Sequence, residues 1–416
     1  MREEKVEVAI IGGGPAGLAA ALSAKKAGAE KVLILDRNEE LGGILPQCIH
    51  NGFGLHRFRE DLTGPEYAQR FIDEVKELKI EVKLRTIALE INQSREVLAT
   101  NSEEGIFRIR ATSLVLAMGC RERTREMLSI PGTRPAGIFT AGVAQQWVNL
   151  EGYLPGREIV ILGSGDIGLI MARGLTLEGA KVKAVVEIMP YPGGLIRNVV
   201  QCLQDFDIPL LLEHTVTSIH GRDRVEAVTI AKVNPKGEPI PGTERIIFCD
   251  TLLLSVGLIP ENELSSSAGV EIDPSTGGPV VDERMQTSVE GIFACGNVVQ
   301  VQDLVDYVSQ QGEIAGKSAA LYALGKLKPM QRVIKLKRGR NVRLLTPQRI
   351  SGQEKVTLFI RVVNPEQGVR LRIGERIKER TRPLVRPNQM VVWTVPFGDF
   401  RLKGVEELEV SVVREG

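Results

Sequence analysis

The chain has 416 residues, more than one ordinary core accommodates, and this implies two or three domains of roughly 100 to 200 residues each. With 43% hydrophobic and 25% charged residues it has the composition of a soluble α/β protein, and no apolar run approaches the ~20 residues of a membrane span. The formal net charge of +1 hides an asymmetry: residues 331–386 hold 16 Lys/Arg against 4 Asp/Glu, a surplus of +12 that leaves −11 elsewhere.

The opening MREEKVEVAI lacks the apolar core of a signal peptide, so a cytoplasmic location is expected. Residues 6–11, VEVAII, form a short β-branched run, and the GGGPAGLAAALSAKKAGA that follows reads as a helix entered through a glycine turn. The turn fits G-x-G-x-x-G at Gly12, Gly14 and Gly17, a spacing that allows a tight turn, close approach to a pyrophosphate, and helix packing against the strand. A second strand, KVLILD, ends in Asp36, 24 residues after Gly12, where a carboxylate can accept hydrogen bonds from both hydroxyls of an adenosine ribose. GPEYAQRFIDEVKELKI then predicts a helix with Pro65 near its start, VKLRTIALEI, EVLAT and IFRIRA a three-stranded meander, and TSLVLAMGCRER a separate buried strand ending at Gly119.

The pattern recurs. EIVILGSGDIGLIMARGLTLEGAKVKAVVE places Gly163, Gly165 and Gly168 on a turn with Glu187 24 residues after Gly163, and the pair Gly42–Gly43 is matched by Gly193–Gly194. All six positions share an offset of 151 residues. Glycines at one such turn can serve packing alone, whereas the repeated set argues for two dinucleotide sites. CDTLLLSVGLIPENEL is the second closing strand, with its glycine turn at Gly257. IFACG, the loop at Asn297 and a helix from near Val308 suit completion of the first domain. From Met330 onward, alternating strands such as RVIKLK, VTLFIRVV, GVRLRI, MVVWTV and LEVSVV predict a small all-β C-terminal domain.

GGGPAGLAAA with Asp36, LAMG at 116–119, GSGDIG with Glu187, and GIFACGNV at 291–298 together resemble the pyridine nucleotide-disulfide oxidoreductases, flavoproteins with two dinucleotide-binding domains. The resemblance covers about residues 5–326 and implies an α/β fold of two Rossmann-like three-layer domains. The expected boundaries are 1–122 and 285–330 for a split FAD domain, 123–284 for an inserted NAD(H) domain, and 331–416 for the basic β domain. It implies that Gly12, Gly14, Pro15 and Ala16 hold the FAD pyrophosphate at the turn that Gly17, in the same FAD set, closes by packing, Asp36 the adenosine ribose, and Gly296 with Asn297 the ribityl or phosphate region. Arg37, Gly42, Gly43 and Gly119 complete the FAD set; Gly163, Gly165, Asp166, Ile167, Gly168, Glu187 and Gly257 form the NAD(H) set. Two positions depart from the family: Asp36 stands where glutamate is commoner, and Asn297 where aspartate is usual. LGGILPQCIHNGFGLHRF and EIMPYPGGLIRN are similar to the oxidoreductase encoded beside an anaerobic-type glycerol-3-phosphate dehydrogenase in bacteria, so a partner flavoprotein of that type enters as an expectation. The His-bearing dimerisation domain of disulfide reductases is replaced by the basic tail, which argues against a glutathione-reductase-like mechanism.

Glu187 favours a free ribose 2′-hydroxyl over a 2′-phosphate, and the following IMPYPGG lacks arginines to pair a phosphate, so NAD(H) is expected over NADP(H). The five cysteines, Cys48, Cys120, Cys202, Cys249 and Cys295, contain no CxxC pair, so no metal and no disulfide framework is expected. Cys48 lies in the loop that carries the redox disulfide in relatives, without its partner cysteine. It is either a catalytic thiolate activated by His50 or His56, or a buried structural thiol. The basic tail lacks the aromatic platforms of a nucleic-acid site; a docking surface for an acidic protein and a plain solvated face are its readings, and self-association stays open. The functions expected are hydride transfer between NADH and flavin with electrons passed to oxygen or a small acceptor, an electron-transfer subunit of a glycerol-3-phosphate dehydrogenase-type complex, or a Cys48-dependent peroxidase or disulfide reductase.

Overall fold

The computed structural model describes residues 2–374, 378–397, 402 and 404–414, which divide into two compact units. The first takes residues up to 46, 51–120 and those from 260 onward; the second takes 47–50 and 121–259.

The first unit begins with β1 (Arg2–Ile11), α1 (Pro15–Lys26), β2 (Val32–Leu35), α2 (Gly64–Glu77), β3 (Glu81–Lys83), β4 (Ile87–Ile91), β5 (Glu96–Asn101) and β6 (Gly105–Leu116). Its sheet runs β3-β2-β1-β6-β5-β4, parallel from β3 to β6 and antiparallel beyond. α2 starts at a capping box: the Thr63 N–H donates to Glu66 Oε2 at 2.8 Å and the Glu66 N–H to Thr63 Oγ1 at 3.5 Å, with Pro65 in the first turn. The meander strand IFRIRA and the buried strand TSLVL, expected as two elements, form the single strand β6. No Gly or Pro interrupts residues 106–116, and burial passes from alternation at Phe107, Ile109 and Ala111 to a continuous run at Ser113–Leu116.

The second unit contains β7 (Ile138–Thr140), α3 (Ala141–Gln146), β8 (Glu158–Leu162), α4 (Asp166–Leu177), β9 (Lys181–Val186), α5 (Ile196–Cys202), β10 (Leu210–Leu211), β11 (His214–His220), β12 (Ala227–Lys232), β13 (Arg245–Phe248) and β14 (Thr251–Leu254). Its parallel sheet has the order β7-β14-β8-β9-β10. Alternate residues of β8 serve opposite faces: Ile159 and Ile161 pack with Leu169 and Leu175 of α4, Val160 and Leu162 with Val228 and Ile230 of the antiparallel β11-β12-β13 sheet. That makes three layers.

The chain then returns to the first unit. Residues 260–284, expected with the nicotinamide domain, pack there: Asn262 Nδ2 donates to Val298 O at 2.9 Å. β15 (Ile292–Ala294) pairs in parallel with Leu114–Leu116 of β6, and α6 (Val305–Ala323) starts three residues before the expected Val308. α6 crosses α1 closely enough that a Cβ on Gly312 would lie 2.3 Å from Ala16 O, and one on Gly316 1.9 Å from Ala20 O. The remaining strands are β16 (Ile334–Arg338), β17 (Val342–Thr346), β18 (Arg349–Ile350), β19 (Lys355–Val362), β20 (Glu366–Ile373), β21 (Lys378–Val385), β22 (Val391–Pro396) and β23 (Glu407–Arg414). They form the sheets β18-β16-β23-β20-β21 and β17-β19-β22 around a shared core that includes Ile334, Leu358, Val369 and Trp393, a β-sandwich that matches the all-β expectation. No helix of the described residues is long and apolar enough to cross a membrane.

Asp282 is buried in a turn of the first unit, its Oδ1 accepting the N–H groups of Arg284 and Gln286 at 2.8 and 2.9 Å. Burial raises its carboxyl from 3.8 to about 6. Because the folded state holds this proton more tightly than the unfolded chain, the stability it confers is complete below pH 3.8 and is lost as pH rises through about 6, on the order of 3 kcal/mol in all. Asp282→Asn keeps an acceptor for both N–H groups, and its melting midpoint should exceed that of the parent at about pH 8 but not at about pH 4. Equal midpoints at both pH values would contradict this.

Candidate cofactor sites

At the end of β1 the Gly12 N–H donates to Leu35 O at 2.8 Å, and a Cβ on Gly12 would lie 2.4 Å from Ala117 O. A Cβ on Gly17 would lie 1.8 Å from Gly12 O, so these two positions exclude side chains through backbone contact. Gly14 differs: a Cβ there would meet only Gly43 Cα, at 3.7 Å. Packing forces the outer glycines, while the open space at the middle one fits approach of a pyrophosphate to the start of α1. Asp36, 6% exposed, accepts the Gly13 N–H on Oδ2 at 2.6 Å and the Asn38 N–H on Oδ1 at 2.8 Å. Gly42 donates to Gly13 O at 2.9 Å, which sets Gly42–Gly43 against the fingerprint, and the neighbouring Arg37 is exposed.

The second unit repeats this arrangement. Gly163 donates to Val186 O at 2.7 Å, a Cβ on it would lie 2.0 Å from Ser255 O, and one on Gly168 2.6 Å from Gly163 O. Around Gly165 the nearest contact is Ser255 Oγ at 3.9 Å. Glu187, 7% exposed, accepts the Ser164 N–H at 2.9 Å, the Ser164 hydroxyl at 2.5 Å and the Met189 N–H at 2.9 Å. Ser164 Oγ accepts the Gly193 N–H at 2.8 Å, and Asp166 Oδ1 accepts the Leu195 N–H at 2.8 Å and Asn198 Nδ2 at 2.6 Å. In each unit, then, the double-glycine loop closes on its own fingerprint. Ile167 packs its partly buried side chain against the α4 core. At Gly119 and Gly257 an added Cβ would meet no atom within 4 Å, so positive φ (74° and 103°) rather than crowding selects glycine.

Gly296 completes the first site. A Cβ on it would lie 2.7 Å from Ala16 Cβ in the first turn of α1, and its N–H donates to Gln311 Oε1 at 3.0 Å. Asn297 donates through Nδ2 to Cys120 Sγ at 3.5 Å and accepts the Gln302 N–H at 3.0 Å, so both ends of its amide already have protein partners. Gln302 Nε2, Gln302 Oε1 and Gln311 Nε2 are buried and find no partner among the described residues. Orphaned amide atoms around Gly296–Asn297 fit a polar ligand in this place. Sequence reasoning missed Gln302, Gln311 and the Ser164 hydroxyl; neither glutamine belongs to a motif spacing that would single it out.

Cys48 lies in the second unit. Gln47 Nε2 donates to Gly142 O at 2.9 Å and to Gln145 Oε1 at 3.0 Å, and the Cys48 thiol contacts the same Gln145 oxygen at 3.8 Å. Burial pushes this thiol up to about 12, opposite to the activation expected from His50 or His56. His56 stacks on Tyr307 in the first unit, with centroids 5.9 Å apart. Burial disfavours the thiolate that the catalytic reading of Cys48 requires. No disulfide joins any of the five cysteines, and Cys202, Cys249 and Cys295 are buried.

Two fingerprint folds, each with a buried carboxylate on its loop, define a two-dinucleotide protein. The family model described as pyridine nucleotide-disulphide oxidoreductase matches residues 6–315, and the chain belongs to that family, which uses FAD and NAD(P)H. One of the opine oxidase subunits of Agrobacterium tumefaciens is 26% identical over 345 residues, covering 77% of this chain and 66% of the relative. The CoA-dependent NAD(P)H sulfur oxidoreductase of Pyrococcus abyssi is 27% identical over 317 residues, covering 73% of the chain and 66% of the relative. The chain therefore spans just under two thirds of the length of these relatives. Among solved structures, thioredoxin reductase of T. acidophilum superposes with a TM-score of 0.63 at 24% identity, covering 77% of this chain and 99% of that one. A NAD-dependent persulfide reductase from A. fulgidus superposes with a TM-score of 0.59 at 20% identity, covering 95% of this chain and 72% of that one. At these identities the likeness is one of fold.

Proposed function

We propose that the chain is an FAD-dependent NADH oxidoreductase, with FAD in the first unit and NAD(H) in the second. The observation that carries this is the repeated hydrogen-bond set: Gly13 and Asn38 on Asp36, Ser164 and Met189 on Glu187. When bound, the two cofactors supply hydride transfer from nicotinamide to flavin. The chain contributes binding and orientation: each glycine turn admits a pyrophosphate, and each buried carboxylate is held rigidly enough to select ribose hydroxyls. Glu187 opposes a 2′-phosphate, and residues 188–194 bring no Lys or Arg to offset it, which supports NADH over NADPH.

The chemistry is tested by anaerobic titration of the purified protein. NADH should bleach bound FAD stoichiometrically, and a flavin that stays oxidised under excess NADH would sink the proposal. Because the Cys48 thiol stays protonated through the physiological range, Cys48→Ser should reduce its flavin at a rate within about twofold of the parent, with no pH dependence traceable to Cys48 between about pH 6 and 9. A Cys48→Ser protein that loses turnover would restore the thiol route.

A second reading concerns the acceptor. Subunits of two opine oxidases and of a hydrogen cyanide synthase are among the relatives, and residues 41–58 and 187–198 are similar to the glycerol-operon oxidoreductase. Both facts support an electron-transfer subunit that exchanges electrons with a partner flavoprotein of glycerol-3-phosphate dehydrogenase type. Rapid NADH turnover with oxygen by the isolated chain would count against it.

A further inference from the structure

Neither fingerprint uses the C-terminal sandwich, yet the sandwich grips the segment that joins Asn297 to α6. Gln300 is fully buried; its Oε1 accepts the hydroxyl of Thr346, itself fully buried at the end of β17, at 2.6 Å, and its Nε2 contacts Met390 Sδ at 3.9 Å. The Asp303 carboxylate pairs with the Arg361 guanidinium of β19 and also accepts the Met390 N–H. This ion pair is only 13% and 15% exposed, and Arg361 also donates to Pro387 O at 2.9 Å and Val301 O at 3.4 Å. Tyr307 of α6 meets Phe359 of β19 edge-on, with centroids 5.9 Å apart.

Between the two gripped residues sits Gln302. Its N–H is bonded to Asn297, and its carboxamide nitrogen and oxygen are both buried without partners among the described residues. Such an amide is unfavourable unless a ligand or an ordered water satisfies it, and a ligand with hydrogen-bonding groups along one edge can satisfy both of its ends at once. The flavin ring presents carbonyl oxygens and an N–H along one edge, the complement of a carboxamide.

We propose that the C-terminal sandwich is a clamp on the FAD loop, in which Thr346 and Arg361 are positioning residues that hold Gln302 to hydrogen-bond the bound flavin. The proposal rests on FAD occupying the first unit. It gives the basic tail a structural task, cofactor retention, in place of nucleic-acid or partner docking.

The test compares FAD dissociation constant, visible flavin bands and flavin midpoint potential across full-length variants. Gln302→Ala should weaken FAD binding about tenfold and shift both bands and potential, and Arg361→Gln and Thr346→Val should reproduce the shift. Thr346→Ser, which keeps the hydroxyl, should behave as the parent does. Arg340→Gln, which removes an ion pair to Glu366 elsewhere in the sandwich, should change none of the three readouts. Gln302→Ala with parental affinity and spectrum would overturn the proposal, as would Arg361→Gln and Thr346→Val proteins that hold FAD unchanged. A parent chain that takes up no FAD would overturn the reading of the first site, an outcome distinct from FAD-replete variants.

Discussion

Gly17→Ala is expected to emerge from purification colourless, whereas Gly168→Ala should stay yellow but fail to accept electrons from NADH. The added Cβ at Gly17 would lie 1.8 Å from Gly12 O, and at Gly168 it would lie 2.6 Å from Gly163 O and 2.9 Å from Ser255 Cβ. In both cases the nearest atom is a backbone oxygen that cannot rotate aside, so the first turn of α1 or α4 must move away from its strand. Overpacking of this kind costs about 1–3 kcal/mol, and here the displacement falls on the backbone proposed to hold a pyrophosphate, so binding should weaken about ten- to a hundredfold. The flavin-to-protein absorbance ratio reads the first variant, and stopped-flow flavin reduction by NADH reads the second. If both variants lose FAD equally, or both keep NADH reduction, the assignment of one cofactor to each fingerprint fails.

The second large effect concerns Glu187. Its carboxylate accepts the Ser164 N–H, the Ser164 hydroxyl and the Met189 N–H, which leaves about one lone-pair site for a ribose hydroxyl, and hydrogen bonds to a charged acceptor are worth about 1.5–3 kcal/mol. Glu187→Gln combined with Met189→Arg removes the charge that opposes a 2′-phosphate and supplies a cation at an exposed position next to it. The ratio of kcat/KM for NADPH to that for NADH should rise about a hundredfold or more, mostly through loss of NADH. An unchanged ratio would show that Glu187 does not face the ribose. The substitution also loses one acceptor for the Met189 N–H, so a stability decrease of about 1 kcal/mol should accompany it.

The fingerprints were legible in the sequence because their requirement is steric and is written in residue identity. Only glycine fits where a Cβ would strike the backbone, and the 151-residue offset repeated that requirement at matching places. The strands of the C-terminal region were legible for a similar reason, since an alternating pattern fixes a sheet face. What escaped depends on distant partners. The environment of Cys48 is set by Gln145, 97 residues away, and no local feature near Cys48 signals a neutral amide rather than a cation. The Thr346–Gln300 contact spans 46 residues and joins two side chains that are unremarked in isolation. The continuity of β6 is hidden in the sequence because its hydrophobic pattern changes from alternating to continuous partway along, although no turn residue lies there.

β6 also fixes an order of assembly. Its last residues, Leu114–Leu116, have β15 as a neighbour, and β15 begins at Ile292. Every element of the second unit lies before residue 260. A growing chain can therefore finish the unit it began later while the one it began first still carries an open apolar edge, and no chain shorter than 294 residues can close that sheet.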